Sequence, residues 1–160
     1  LQELHQVIDL RRWQGQARVT RGTGLLSRLI CWMFCFPAAM DATPVEVTME
    51  RCGPTERWTR RFGASTFLST LRARNGRMTE RFGPFTFTLG LEVKGDSLIF
   101  PVISGRLGPI PLPRVILPRS DAVETVEETP KGPRARFDVA LSLPLVGALV
   151  RYQGWLMPAD

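Results

Sequence analysis

From Val45 onward the chain alternates apolar and polar residues with a period of two, almost to its end. Successive side chains of a strand point to opposite faces, so this rhythm predicts sheet with one face buried. Val45, Val47 and Met49 alternate with Glu46, Thr48 and Glu50. In the next segment Glu56, Trp58, Arg60 and Phe62 share one face, and Arg57, Thr59 and Arg61 the other. Phe67, Ser69, Leu71 and Ala73 follow, and Asn75-Gly76 is a strong hairpin signal. Residues 78–82 come next, and then Phe85, Phe87, Leu89, Leu91 and Val93 make the cleanest apolar face in the chain. Lys94-Gly95-Asp96 turns into residues 98–103, a short strand is expected at 123–127, and Ala135, Phe137, Val139, Leu141 and Leu143 precede a last strand at 148–157.

Upstream, residues 1–12 read as a lead-in ending at the charged stretch 9–12, and residues 13–21 as a first strand with Ala17 and Val19 inward. The 25–36 run predicts the one helix, capped by Thr23 and ended by Pro37, with Leu25, Leu26, Leu29, Ile30, Met33 and Phe34 on a broad apolar face. It is about 12 residues, well short of the roughly 20 of a membrane span. Such a helix packs on a sheet, lines an apolar cavity or touches a membrane surface. Residues 105–119 break the rhythm: prolines 109, 111, 113 and 118 exclude a central strand or a helix, leaving an apolar extended loop, a flap or a packed crossover.

The expected architecture is therefore mainly β. About nine or ten strands form a curved antiparallel sheet or (half-)barrel, with one apolar helix inserted after the first strand. The 160 residues read as a single domain, 1–160, with the β-rich body at 13–160.

Composition narrows the partners. The 21 basic residues outnumber the 15 acidic ones, and all but Lys94 and Lys131 are arginine. They are scattered rather than clustered, which argues for cross-strand pairs and against nucleic acid. The three cysteines, Cys31, Cys35 and Cys52, make no disulfide framework and are expected to pack; with His5 as the one histidine, no metal site is expected. A reducing, cytoplasmic location follows from that reading. Leu1 in place of an initiator methionine suggests a processed or trimmed chain.

Several motifs then stand in order: Arg21-Gly22-Thr23-Gly24-Leu25-Leu26, Glu56-Arg57-Trp58-Thr59-Arg60-Arg61-Phe62, Glu80-Arg81-Phe82-Gly83-Pro84, Leu112-Pro113-Arg114, Leu117-Pro118-Arg119-Ser120 and Arg151-Tyr152-Gln153-Gly154-Trp155-Leu156. From about His5 to the end, the chain resembles the bacterial family catalogued as domain of unknown function 4166. That resemblance implies a domain found alone or as a tail behind saccharopine-dehydrogenase-like, NAD(P)-binding domains. It implies no reaction, cofactor or catalytic residue. No Gly-x-Gly-x-x-Gly follows a strand, so no dinucleotide site and no cofactor is expected in this chain.

Candidate chemistry is sparse. Ser65, Ser69, Ser104 and Ser120 lack a nucleophile elbow, nothing joins Glu56, Glu80 and Glu92 into an acid–base pair, and no catalytic residue is nominated. Buried charges must be paired, so Glu56 is expected to pair with Arg60, or with Arg151 beside Trp58 and Trp155. Glu56, Trp58, Arg60, Arg81, Arg119, Arg151 and Trp155 are the candidate ligand-binding set, either a register-fixing network or a receptor for an anionic head group. Leu29, Met33, Phe85, Phe87 and Leu89 are the expected cavity lining. The leading function is non-catalytic binding of a hydrophobic or lipid-like molecule in the concave interior, with peripheral membrane contact as a further possibility. An accessory domain for an NAD(P)-dependent oxidoreductase is the alternative, and an enzyme is third.

Overall fold

The computed structural model describes residues 10–95 and 97–159; the His5 reading lies outside them. Strands β1 (Leu10–Arg21), β2 (Met40–Cys52), β3 (Thr55–Phe62), β4 (Ser65–Arg74), β5 (Arg77–Phe82), β6 (Phe85–Leu89) and β7 (Glu92–Lys94) are followed by β8 (Ser97–Ile99), β9 (Val102–Leu107) and β10 (Ile110–Pro111). A 3-10 turn (Arg114–Ile116) leads to β11 (Arg119–Thr129), β12 (Gly132–Leu143) and β13 (Gly147–Pro158), and helix α1 (Leu25–Met33) interrupts the chain after β1. All belong to one 13-stranded sheet in the order β10-β9-β6-β5-β4-β3-β2-β1-β13-β12-β11-β8-β7. Every pairing is antiparallel, so the predicted class holds, with more strands than expected. Asn75 and Gly76, both at positive φ (52° and 71°), close the β4–β5 hairpin as the sequence predicts.

The sheet is steeply curled. Phe62 of β3 lies 5.2 Å from the ring of Tyr152 on β13, and Phe67 of β4 lies 6.4 Å from it. Three and four strand spacings separate those pairs, roughly 14 and 19 Å along a flat sheet. Contact therefore requires the faces to fold toward each other, which encloses the core of Ala17, Val19, Val45, Val47, Met49, Trp58, Phe62, Phe67, Leu71, Val150 and Leu156. Strands β1 and β13 approach each other closely within this curl. A Cβ on Gly154 would lie 2.1 Å from the Gln16 carbonyl oxygen, and one on Gly15 would lie 1.8 Å from that of Trp155.

The ladder never closes into a ring. Residues 85–107 form one long hairpin bent at Gly90, whose N–H donates to the Pro101 carbonyl at 2.8 Å. Below the bend, β6 pairs with β5 and β9; above it, β8 crosses to β11 through Leu98 and Ile99. The apolar face predicted to run from Phe85 to Val93 thus stops at Leu89, and Leu91 and Val93 are exposed. At the opposite end β9 turns back into β10, and residues 112–118 cross the gap to β11. Pro111, Pro113 and Pro118 lack the N–H groups that would zip it shut.

Other boundaries moved. Strand begins at Leu10, so residues 10–12 belong to the sheet rather than the lead-in, and β11 is longer than the strand expected at 123–127. The 105–119 stretch is not one loop, because β9, β10 and the 3-10 turn occupy part of it. Helix α1 stops at Met33, well before Pro37, because Cys35 takes positive φ (56°). Its N-cap is Gly24, not Thr23, with no side-chain cap.

The orientation of α1 reverses the usual amphipathic rule. Its buried residues are Ser27 and Cys31, which donate to the carbonyls of Ala148 (2.8 Å) and Leu149 (3.3 Å) at the start of β13. Small side chains let the helix approach that strand closely, and Leu25, Leu26, Leu29, Trp32 and Met33 are left exposed. Arg21 latches the excursion: its guanidinium donates to the carbonyls of Phe36 and Pro37, where the chain returns. Of the cysteines expected to pack, only Cys31 does; Cys35 and Cys52 are exposed and all three are free.

Two outcomes follow from the crease and the helix. Gly154→Ala forces a methyl into the Gln16 carbonyl and should cost about 1–3 kcal/mol, read as a lowered denaturation midpoint; an unchanged midpoint would contradict the close approach. Burial raises the Cys31 thiol pKa, so a disulfide-exchange reagent should titrate Cys35 and Cys52 in the native protein and Cys31 only after unfolding.

Candidate functional site

The concave face encloses a cavity of about 440 Å³. Its walls come from both wings of the sheet: Phe82, Phe85, Phe87 and Leu89 on one side, and Ala122, Phe137, Val139 and Leu141 on the other. Val47, Met49, Trp58 and Leu156 form the floor between them, and Ile30, Met33 and Phe34 come from α1 and its end. Phe34 reaches the far wall, its ring centroid 5.2 Å from that of Phe85. Period-two alternation aims these side chains inward, and the curl converts a flat apolar face into an enclosure. Met33, Phe85, Phe87 and Leu89 stand in the cavity wall. Leu29 does not; it is exposed on the outer side of α1.

A polar cluster on β3, β4 and β5 sits in this largely apolar wall, which also takes in Glu124 and Arg136 on the other wing. Arg60 donates from Nη2 to Glu80 Oε1 (3.0 Å) and from Nη1 to Ser69 Oγ (2.7 Å), and Ser69 Oγ donates to the same Glu80 oxygen (2.7 Å). Arg60 and Glu80 are only 15% and 14% exposed, on neighbouring inward positions of β3 and β5 bridged by Ser69 of β4. The guanidinium carbon lies 4.8 Å from the Trp58 ring and 5.5 Å from that of Phe67, which hold its plane by cation–π contact. Glu56 does not pair with Arg60; its Oε2 accepts from Trp58 Nε1 at 3.1 Å. The expected pairing fails because β3 and β5 place Glu80 across β4 from Arg60, within reach of a bidentate-capable fork.

Tyr152 completes the floor. Burial pushes its phenol up to about 12, with the negative charge of Glu80 adding to the rise and Arg60 opposing it. Ser69 and Tyr152 were not among the expected site residues. The signal for Ser69 lay in the alternation itself, a small polar residue between inward Phe67 and Leu71.

The remaining candidates lie on the convex face or at its edge. Arg151 is held by Asp138 through Nε–Oδ1 (2.9 Å) and Nη2–Oδ2 (2.6 Å), with Gln153 donating to Oδ2 at 2.8 Å. These contacts hold the Asp138 carboxyl below its usual range and raise the Arg151 guanidinium. Trp155 lies under Arg134, whose guanidinium carbon is 5.4 Å from its ring. Arg81 caps its own turn at the Gly83 carbonyl (2.8 Å), and Arg119 is exposed at the start of β11. Past the bulge at the start of β13, Arg151 and Trp155 alternate away from Tyr152 and so cannot join Trp58 and Arg60.

Among the described residues no group of three or more His, Cys, Asp or Glu side chains is placed to hold a metal ion. No described helix is long and apolar enough to cross a membrane.

Fold and site together define an open antiparallel β domain with a largely apolar interior and a buried Arg60–Glu80 ion pair. The chain belongs to the family described as domain of unknown function (DUF4166), whose model matches residues 1–156. No curated protein and no solved structure matches it.

Tyr152 is the one tyrosine in the chain, so its titration is read without overlap from others. Its phenolate absorbance should develop near 12 in the folded protein and near 10 after denaturation. The folded value is raised, so the contribution is complete below pH about 10 and is lost as pH rises through about 12, amounting to about 2–3 kcal/mol. Tyr152→Phe should flatten that alkaline loss; native titration near the ordinary value would contradict the burial.

Proposed function

We propose that this domain holds a hydrophobic, lipid-like molecule in the concave interior of its sheet and catalyses no reaction on it. The observation that carries the reading is the cavity of about 440 Å³, within the roughly 300–1,000 Å³ usual for small-molecule sites. Its apolar walls supply affinity, and Arg60, with donors beyond those given to Ser69 and Glu80, supplies a place for a carboxylate or phosphate. Ser69 and Glu80 fix the guanidinium beforehand, so a head group meets a rigid donor fork rather than a mobile side chain. Three free thiols suit a reducing compartment, and a cytoplasmic location is the simplest one.

A second reading, an accessory domain for an NAD(P)-dependent oxidoreductase, draws on the exposed apolar residues of α1 as a docking face. It predicts that a dehydrogenase copurifies with an otherwise empty domain.

Native mass spectrometry of gently purified protein should find a bound small-molecule mass that denaturation releases. Delipidated protein should take up a fluorescent long-chain fatty acid saturably. Phe87→Trp, which fills the cavity, should weaken uptake roughly tenfold or more by excluding about two methylenes. Arg60→Ala should weaken the fatty acid more than the matching alcohol. Failure of delipidated wild type to bind either ligand would sink the proposal.

A further inference from the structure

The exposed apolar residues are not spread evenly. Register places α1, the β9–β10 turn, the 3-10 turn and the β12–β13 turn at one end of the sheet. That end carries Leu25 (84% exposed) and Trp32 (76%) on the helix, together with Ile110, Val115 and Leu145 (80%) from the turns. Apolar exposure gathered at one end in this way marks an interaction surface rather than the scattered single residues of an ordinary exterior. Met33 and Ile116 are both exposed and part of the cavity wall, so the surface is continuous with the interior.

Charge beside that apolar surface narrows the partner. Arg28, Arg106, Arg114 and Arg119 are exposed at the same end, and none has an ion pair among the described residues. The carboxylates of this end are few: Asp41 is paired with Arg18, and Asp121 lies beside Arg119. Arginines elsewhere on the outer face often stand against acids, as in Arg57–Glu50 and Arg151–Asp138. Yet Arg51, Arg72, Arg74 and Arg77 at the opposite end are also exposed without an ion pair among the described residues. What sets the α1 end apart is that its arginines surround Leu25, Trp32 and Leu145, the most exposed large apolar side chains among the described residues. Unmatched arginines around protruding leucine and tryptophan fit an apolar layer beneath a negatively charged one. A second copy meeting this face head to head would oppose arginine to arginine.

We propose that the α1 end of the sheet docks on an anionic lipid bilayer, with Leu25 and Trp32 inserted below the head groups and the four arginines lying among them. The docking surface lies outside the cavity wall at these positions, so it stands or falls separately from the ligand proposal. It also sets the mouth of the cavity against the acyl layer.

Flotation with vesicles tests it. Wild-type protein should float with vesicles of equal phosphatidylcholine and phosphatidylglycerol, do so less as salt rises, and stay behind with phosphatidylcholine alone. Arg28→Glu and Arg114→Glu should each weaken binding roughly fivefold or more. Leu25→Ser with Trp32→Ser should abolish flotation while fatty-acid uptake from solution persists. The proposal is overturned by absent flotation of folded wild type at low salt, or by equal binding to both vesicle types. It is equally overturned if the face proves covered by a second copy or a protein partner, with oligomer or complex lost in the Leu25→Ser, Trp32→Ser variant and no vesicle binding in the wild type.

Discussion

Everything in this molecule depends on a sheet that must bury its concave face largely against itself. Thirteen strands and a nine-residue helix leave too little helix to cover that face as a second layer. Curling is the remaining solution, and it needs strands β1 and β13 to crowd each other at the centre. Gly15 and Gly154 remove the Cβ atoms that would forbid that approach. Once the crease exists, Phe62, Phe67 and Tyr152 meet across it and supply the aromatic contacts that hold the curl. The two wings then come to face one another, and the space between them is the cavity.

The Arg60–Glu80 pair brings two opposite charges into that enclosure, whose lining also includes Glu124 and Arg136. Desolvating two ions is unfavourable, and their attraction offsets it only when geometry is good and the spare lone pairs are used. Here Ser69 is donor to Glu80 and acceptor from Arg60, while Trp58 and Phe67 cover the guanidinium. The cluster spans three adjacent strands, so a slip in their register would leave charges unpaired in an apolar setting. Register specification and head-group recognition are compatible uses of the same atoms.

Much of this was legible in the alternation of residues along the chain. The inward face of β3 (Trp58, Arg60, Phe62), the Asn75-Gly76 turn and the inward face of β12 follow from period two, because parity is local. What a strand neighbours is not local. Glu56 and Glu80 are equally plausible partners for Arg60 until β5 is placed, and Arg151 attracted attention by charge although parity with Tyr152 sends it outward. The helix misled for a related reason. Its apolar stripe predicts burial, but Ser27 and Cys31 decide which side packs, because two small polar side chains can reach the free carbonyls at the start of β13. The stretch 105–119 was expected to stay out of the sheet, yet residues 105–107 end β9 between β6 and β10, and Ile110–Pro111 form an edge strand; only the remainder crosses outside the ladders.

The bend at Gly90 and Pro101 has a mechanical meaning. The hairpin of residues 85–107 belongs to one wing below the bend and bridges to the other above it. Beyond the bend, near α1, no ladder joins β9 or β10 to β11. There the wings are joined by side-chain contact and by the covalent crossover of residues 112–118 rather than by a ladder, so the fold is built like a clothes-peg whose pivot is the bent hairpin. Strand separation elsewhere would rupture whole ladders. The unladdered seam thus lies at the end where the interior meets the outside, while continuous ladders brace the rest of the sheet.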